Sequence, residues 1–287
     1  MKVLITGANG QLGTDLVRAA SGHEILAFYG RSELDVTSAT SVHEAVDGLK
    51  PDILINTAAR CDVDACESDV LSAFDVNANG VLNVARACAA NGVRLLHIST
   101  DYVFSGTKGC PYFEEDPTDP INVYGVSKLA GEQFALSYCS SALIIRTSGL
   151  YGAAGSREKG GNFVETMVRL SGERDELKGV NDQTLSPTYT RDLAEICIEL
   201  ADSDVVGVRH ITNSGFCTWA EWSREIFQLL GRDVKLEEVS LDDFGPIAPR
   251  PRFTALESKG LQETLPDWRD ALKRYLVEKG HLEAGPS

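Results

Sequence analysis

Tyr124 and Lys128 stand four residues apart in Asn122-Val123-Tyr124-Gly125-Val126-Ser127-Lys128, at the start of a stretch that reads as a long helix. Residues i and i+4 share a helix face, so the lysine stem can run beside the phenol. A free tyrosine ionises near pH ~10, and a neighbouring cation favours phenolate; a tenfold easier ionisation corresponds to about 1.36 kcal/mol. The chemistry on offer is proton exchange with a substrate oxygen. The same spacing also suits a surface tyrosine and a solvated lysine on an amphipathic helix, so residues elsewhere must decide.

Thr6-Gly7-Ala8-Asn9-Gly10-Gln11-Leu12-Gly13 follows a short apolar run and leads into a helical pattern. Glycines allow a tight turn and close approach of backbone to a pyrophosphate, and the helix N-terminus adds unpaired N–H groups. This G-x-x-G-x-x-G departs by one residue from the usual dinucleotide fingerprint, and its plain alternative is an ordinary strand–helix turn. The next expected strand ends at Gly30-Arg31. An acid there would hold a ribose 2′-OH, whereas arginine accommodates a 2′-phosphate, so NADPH is expected, with NADH as the alternative. Asp35, followed by Val36, can accept from an adenine amino group or serve as a turn aspartate. Ala58 and Ala59 are small enough for a cofactor to lie against their backbone. Asn77, polar in an apolar helical segment, must be hydrogen-bonded if buried, bracing the site or bridging two elements. Thr100 ends the fourth strand, facing the crevice where doubly wound sheets bind ligands.

The elements that must position these groups alternate. Val3–Thr6, Glu24–Phe28, Ile53–Asn56, Leu95–Ser99 and Leu143–Arg146 read as buried strands. Gln11–Ala20, Ser41–Leu49, Val70–Ala90 and Val123–Cys139 read as the intervening helices. That rhythm predicts an α/β fold with a Rossmann-like doubly wound parallel sheet over residues 1–150. Residues 151–287, with helical patterns separated by Gly/Pro-rich loops, are expected to form a smaller C-terminal substrate-binding lobe, the two lobes being interleaved. The net charge of −15, from 42 acids against 27 bases, argues against nucleic acid as a partner. Seven scattered cysteines without CxxC pairs point to reduced thiols, with neither a disulfide framework nor a structural zinc site. No apolar run approaches the about 18 residues of a membrane helix, and Lys2–Gly7 is too short for a secretory core. A cytoplasmic location without membrane attachment is expected.

With the glycine turn, the strand-tip threonine and the Tyr/Lys pair in place, the chain resembles the extended short-chain dehydrogenase/reductase superfamily, and within it the dTDP-4-dehydrorhamnose reductase family. The matching stretches include Thr6–Gly13, Asp62-Val63-Asp64, Ser99-Thr100-Asp101-Tyr102-Val103-Phe104, Asn122–Lys128, Arg146-Thr147-Ser148, Gly161-Asn162-Phe163, Asn181-Asp182-Gln183 and Arg250-Pro251. The resemblance implies NADPH-dependent reduction of the C4 ketone of a nucleotide-linked deoxysugar, with Thr100, Tyr124 and Lys128 catalytic. Tyr124 would protonate the forming alkoxide, and Lys128 would hold the nicotinamide ribose and lower the Tyr124 pKa. It implies cofactor contacts from Gly7, Asn9, Gly10, Gln11, Leu12, Gly13, Gly30, Arg31, Asp35, Val36, Ala58, Ala59, Arg60, Tyr124 and Lys128. Substrate contacts would come from Thr100, Asp101, Val103, Phe104, Tyr124, Asn162, Gln183, Arg191 and Arg250. No metal ligands are expected, and homodimerisation is left open.

The chain departs from the family pattern in places. Arg60-Cys61 replace an aromatic or His and then Thr, Ala65 replaces a common Lys, Gly149 replaces a Trp that packs on the sugar, and Leu185 replaces a frequent Gly. Arg60 can compensate by meeting a phosphate or stand as an exposed structural arginine. A dehydratase is disfavoured because Tyr102 stands where those enzymes carry an acid. Two alternatives are a reductase of a different sugar nucleotide, and a non-catalytic NADP-binding subunit resembling the regulatory subunit of methionine adenosyltransferase.

Overall fold

A computed structural model describes residues 1–156, 158, 160–259 and 265–283. Five strands, β1 (Lys2–Thr6), β2 (Glu24–Phe28), β3 (Ile53–Asn56), β4 (Arg94–Thr100) and β5 (Ala142–Thr147), form a parallel sheet with a sixth, Gly207–His210. The order is β2-β1-β3-β4-β5, with Gly207–His210 outermost beside β5. The helices are α1 (Gln11–Ala19), α2 (Ala39–Leu49), α3 (Val63–Ser68), α4 (Val70–Phe74), α5 (Gly80–Asn91), α6 (Val123–Tyr138), α7 (Phe163–Glu173), α8 (Thr190–Ala201), α9 (Trp219–Leu229), α10 (Leu241–Phe244) and α11 (Trp268–Glu278).

Side chains alternate across each strand, which is why nearly every strand residue is apolar. Val3 and Ile5, with Ile53, Ile55, Leu143 and Ile145, pack under Leu12 and Leu16 of α1 and Leu193 and Cys197 of α8. Leu4, Leu54, Leu95 and Ile144 face the other way, against Val42 and Val46 of α2, Val81 and Val84 of α5, and Ala135 of α6. Each fully buried aliphatic of this kind contributes on the order of 1.5–3 kcal/mol relative to exposure. With helices on both faces, the doubly wound architecture follows.

The chain beyond residue 150 does two jobs. Helix α8 and the strand Gly207–His210 complete the sheet body, by covering α1 and pairing with β5. The sequence pattern does not announce this strand, because it is four residues long, sits at an edge and is only half-buried over Gly207–Arg209. The remainder builds a second core around Tyr151, Leu185, Trp222, Ile226, Trp268 and Tyr275, from α7, α9 and α11. The helical segment expected over 70–90 is present as α4 and α5, joined by one π-helical turn, Asp75–Asn79. That turn carries Asn77, which is fully buried. Asn77 accepts from the Arg60 N–H at 2.8 Å and donates to the Arg60 carbonyl at 3.0 Å and the Ser127 hydroxyl at 3.1 Å. It therefore ties the loop after β3 to α6, one residue before Lys128.

Candidate active site

The order β2-β1-β3 reverses direction at β1, opening a crevice at the carboxyl ends of β1 and β3. There β1 turns into α1 through glycines that differ in purpose. A Cβ on Gly13 would lie 2.2 Å from the Gly7 carbonyl oxygen, so no other residue lets α1 start this close to the strand. A Cβ on Gly10 would meet only that same oxygen, at 3.1 Å, and would otherwise project into open space. Helix α1 begins without a side-chain cap on Gly10. Bare backbone at an uncapped helix N-terminus fits a pyrophosphate group.

Across the crevice, β4 carries Thr100 to its tip, and α6 starts with Asn122, whose side chain accepts the Gly125 N–H at 2.8 Å. A Cβ on Gly125 would lie 2.2 Å from the Tyr102 carbonyl oxygen, so glycine lets the first turn of α6 press against the chain just past β4. Tyr124 is thereby set beside Thr100, with its ring edge-on to Tyr102 at 5.8 Å. Lys128, 2% exposed, donates to the Ile98 carbonyl at 2.6 Å. Burial pulls the Lys128 pKa down to about 8, opposed by Glu132.

The expected lowering of the Tyr124 pKa is not what this geometry gives. Burial raises it, with Cys61 and Asp101 adding to the rise and only the Thr100 hydroxyl opposing. The physical reason is that the phenol is largely desolvated while the Lys128 ammonium is spent on the Ile98 carbonyl. Tyr124 is therefore firmly protonated at rest, as a proton donor should be.

These groups line one cleft of about 490 Å³. Of the residues singled out in the sequence, Gly7, Asn9, Gly10, Gln11, Leu12, Gly13, Ala58, Ala59, Thr100, Asp101, Tyr124, Lys128, Asn162 and Gln183 line it. The others do not. Gly30 lies near Asn9, beyond the cleft. Arg31 is exposed and pairs with Asp35 at 2.7 Å, whose second oxygen is taken by Thr37. Val36 is buried, its side chain facing Gly80. Arg60 has its backbone clamped by Asn77 and its Nε buried with no partner among the described residues. Val103 and Phe104 are fully buried in an apolar cluster with Tyr112 and Leu256, behind the cleft wall. Arg191 is exposed on α8 beside Glu195, and Arg250 pairs with Asp64 at 2.9 Å. Val103 and Phe104 are thus packing residues.

The wall facing Tyr124 is assembled from residues far apart in sequence. Gly149, at φ 55°, packs so closely that a Cβ there would lie 2.8 Å from the Leu185 side chain. Leu185, Leu150, Phe163, Trp219 and Trp222 make this wall largely apolar. Gln183 braces it, accepting from Trp219 Nε1 at 2.9 Å and donating to the Tyr102 hydroxyl at 3.3 Å. Ser148, Trp222 and Thr254 also line the cleft. Ser148 lies in the Arg146-Thr147-Ser148 match, but no local pattern marks Trp222 or Thr254.

A family model described as "RmlD substrate binding domain" matches residues 1–280. The chain is 39% identical over 283 residues to the spore coat polysaccharide biosynthesis protein SpsK of Bacillus subtilis, covering 97% of this chain and 98% of that one. It is 38% identical to a dTDP-4-dehydrorhamnose reductase of Aggregatibacter actinomycetemcomitans, covering 95% and 97%. Among solved structures, the dTDP-4-dehydrorhamnose reductase of Bacillus anthracis in complex with NADP superposes with a TM-score of 0.92 at 38% identity, covering 96% and 99%.

Proposed function

Because the chain belongs to the RmlD substrate-binding-domain family, we propose that it is an NADPH-dependent sugar-nucleotide oxidoreductase. Its proposed reaction is reduction of the C4 ketone of a nucleotide-linked deoxysugar, with dTDP-4-dehydrorhamnose, giving dTDP-rhamnose, as the favoured substrate. One observation carries this reading. Thr100, Tyr124 and Lys128 converge on the same cleft that the bare glycine turn opens into. The relatives support it, since several carry the reductase name and one was solved with NADP.

When bound, the cofactor supplies hydride to the carbonyl carbon. The protein's own part is to manage the oxygen. Tyr124, held as a phenol by burial, gives its proton to the developing alkoxide, a far stronger base than the ground-state ketone. Thr100, beside the phenol, sets the position of the Tyr124 hydroxyl relative to that oxygen. Lys128, buried and still largely charged at neutral pH, places a cation beneath the site where phenolate forms. The largely apolar wall of Leu185, Phe163 and Trp219 suits the face of a deoxysugar better than that of a fully hydroxylated one.

The test is oxidation of NADPH and of NADH with a panel of 4-ketosugar nucleotides, with product stereochemistry read by NMR. Turnover that is fastest with dTDP-4-dehydrorhamnose supports the proposal, and faster turnover of another sugar nucleotide moves the substrate without moving the chemistry. No turnover with any of them, together with stoichiometric co-purification of a synthetase, would overturn it in favour of a binding subunit.

A further inference from the structure

Asp101 follows Thr100 directly, lines the cleft, and is only 4% exposed. Three hydroxyls converge on its carboxylate from three separate segments. Thr100, at the tip of β4, donates to Oδ1 at 3.0 Å. Ser148, just after β5, donates to Oδ2 at 2.8 Å, and Thr254, in the loop after α10, donates to the same oxygen at 2.5 Å. The Thr100 oxygen also accepts the Tyr102 N–H at 3.2 Å.

A hydroxyl has one proton; Thr100 and Ser148 direct theirs to Asp101, and Thr254 gives it the shorter of two contacts, the Thr184 carbonyl lying at 3.4 Å. The arrangement has a consequence for Thr100. Its proton points back to Asp101 and its oxygen takes the Tyr102 N–H, so the side chain is held in one orientation beside Tyr124. We propose that Asp101 is a positioning residue for ketone reduction. It acts as the acceptor of a three-hydroxyl clasp, closed by Ser148 and Thr254, that sets the orientation of Thr100; it does not contact the sugar itself. The inference rests on the reductase reading. It replaces the substrate contact that the sequence resemblance implied for Asp101, because a carboxylate receiving three hydroxyl protons has little left to offer a ligand.

Asp101→Asn keeps the size and removes the uniform acceptor. The two hydroxyls at Oδ2 will hold the amide oxygen there, so the amide nitrogen faces Thr100 and reverses that hydrogen bond. The expected result is a kcat lower by roughly ten-fold or more, the KM for NADPH staying within about two-fold. Adding Thr100→Val to Asp101→Asn should cost little beyond Thr100→Val alone, because both changes act through one group. Thr254→Val should lower kcat and Thr254→Ser restore it, which keeps the test open if Asp101→Asn folds poorly.

A second readout needs no substrate. In threonine-methyl-labelled protein, scalar couplings should report one χ1 rotamer for Thr100 in the wild type and averaging in Asp101→Ala, which removes the partner altogether. A single Thr100 rotamer in both proteins overturns the inference, as do additive kinetic effects of the two substitutions. Absence of turnover by the wild type would count against the reductase reading, while the rotamer measurement would still decide the clasp.

Discussion

The two walls of the cleft are made differently. The wall at β1 and α1 is backbone: glycine carbonyls, amides and a helix start, all within residues 7–13. The opposite wall is side chain: Leu185, Phe163, Trp219, Trp222 and Thr254, drawn from segments spread over about a hundred residues of chain. A backbone wall can recognise a pyrophosphate common to many reactions, because every peptide offers the same N–H. A side-chain wall can be recut without touching that recognition, which suits a fold whose members share a cofactor and differ in substrate. Tyr124 and Lys128 sit at the junction, and substitutions on either side of them can show whether the two walls are separable.

The largest effect is expected at the junction. Tyr124→Phe should lower kcat by roughly 10²–10⁴-fold, the usual reach of a general acid, while the cofactor dissociation constant stays near that of the wild type. Steady-state kinetics with cofactor titration by fluorescence checks both halves of that statement. Wild-type turnover in the variant would remove the tyrosine from the chemistry.

Two alanine substitutions divide the backbone wall itself. In Gly13→Ala the new Cβ collides with backbone, 2.2 Å from the Gly7 oxygen and 2.7 Å from the Ala8 Cα, neither of which can rotate away. A loss of stability of about 1–3 kcal/mol is expected, seen as a lower Tm, together with weakened cofactor binding. In Gly10→Ala the Cβ has only the Gly7 oxygen near it, at 3.1 Å, so Tm should hardly move while cofactor affinity falls roughly ten-fold or more. The side-chain wall should answer in the other column. Leu185→Ala should raise the KM for the sugar nucleotide by roughly ten-fold and leave that for NADPH alone. If Leu185→Ala weakens both ligands equally, the walls are not independent.

The same division decides what can be read in the sequence. The strands β1 to β5, the glycine turn, Thr100 and the Tyr124/Lys128 pair are legible because each is a local pattern: an apolar run, a run of glycines, an i to i+4 spacing. Leu185 and Gly149 stand out only as departures from a family pattern. Their mutual contact, at 2.8 Å for a hypothetical Cβ, is a tertiary fact that no spacing announces. Thr254 carries no signal, since a lone threonine 153 residues from Asp101 has no pattern to belong to. The direction in which the Tyr124 pKa moves is also illegible. The i to i+4 rule places lysine near tyrosine, but only the fold sends its ammonium to the Ile98 carbonyl and buries the phenol.

That placement predicts a pH profile. Lys128 loses its proton as pH rises through about 8, well before a phenol whose ionisation is pushed upward by burial. The protonated lysine is the form present below that pH, so kcat/KM for NADPH, which reports the free enzyme, should be level at neutrality and fall above pH about 8. Lys128→Met should be slower and should lack this limb. A limb that survives Lys128→Met would assign the titration to another group.

The smallest effect is expected farthest from both walls, at the 2′-phosphate position. Arg31 is exposed, and its guanidinium is already engaged by Asp35 at 2.7 Å and the Thr37 hydroxyl at 3.2 Å. Burial pushes the Asp35 carboxyl up, but hydrogen bonds from Thr37 and Arg31 together hold it below the usual carboxylate range. A 2′-phosphate must therefore share or displace a carboxylate that the protein has already provided, in full contact with solvent, where ion pairs are worth about 0–1 kcal/mol. The preference for NADPH over NADH should be modest, within roughly ten-fold, and Arg31→Ala should reduce it by only a few-fold. Asp35→Asn should move it the other way, by freeing the guanidinium for the phosphate. The ratio of kcat/KM for the two cofactors across the three proteins measures this. A preference of roughly a thousand-fold in the wild type, abolished in Arg31→Ala, would mean that the Arg31–Asp35 pair opens on binding and that this corner is as finely built as the glycine turn.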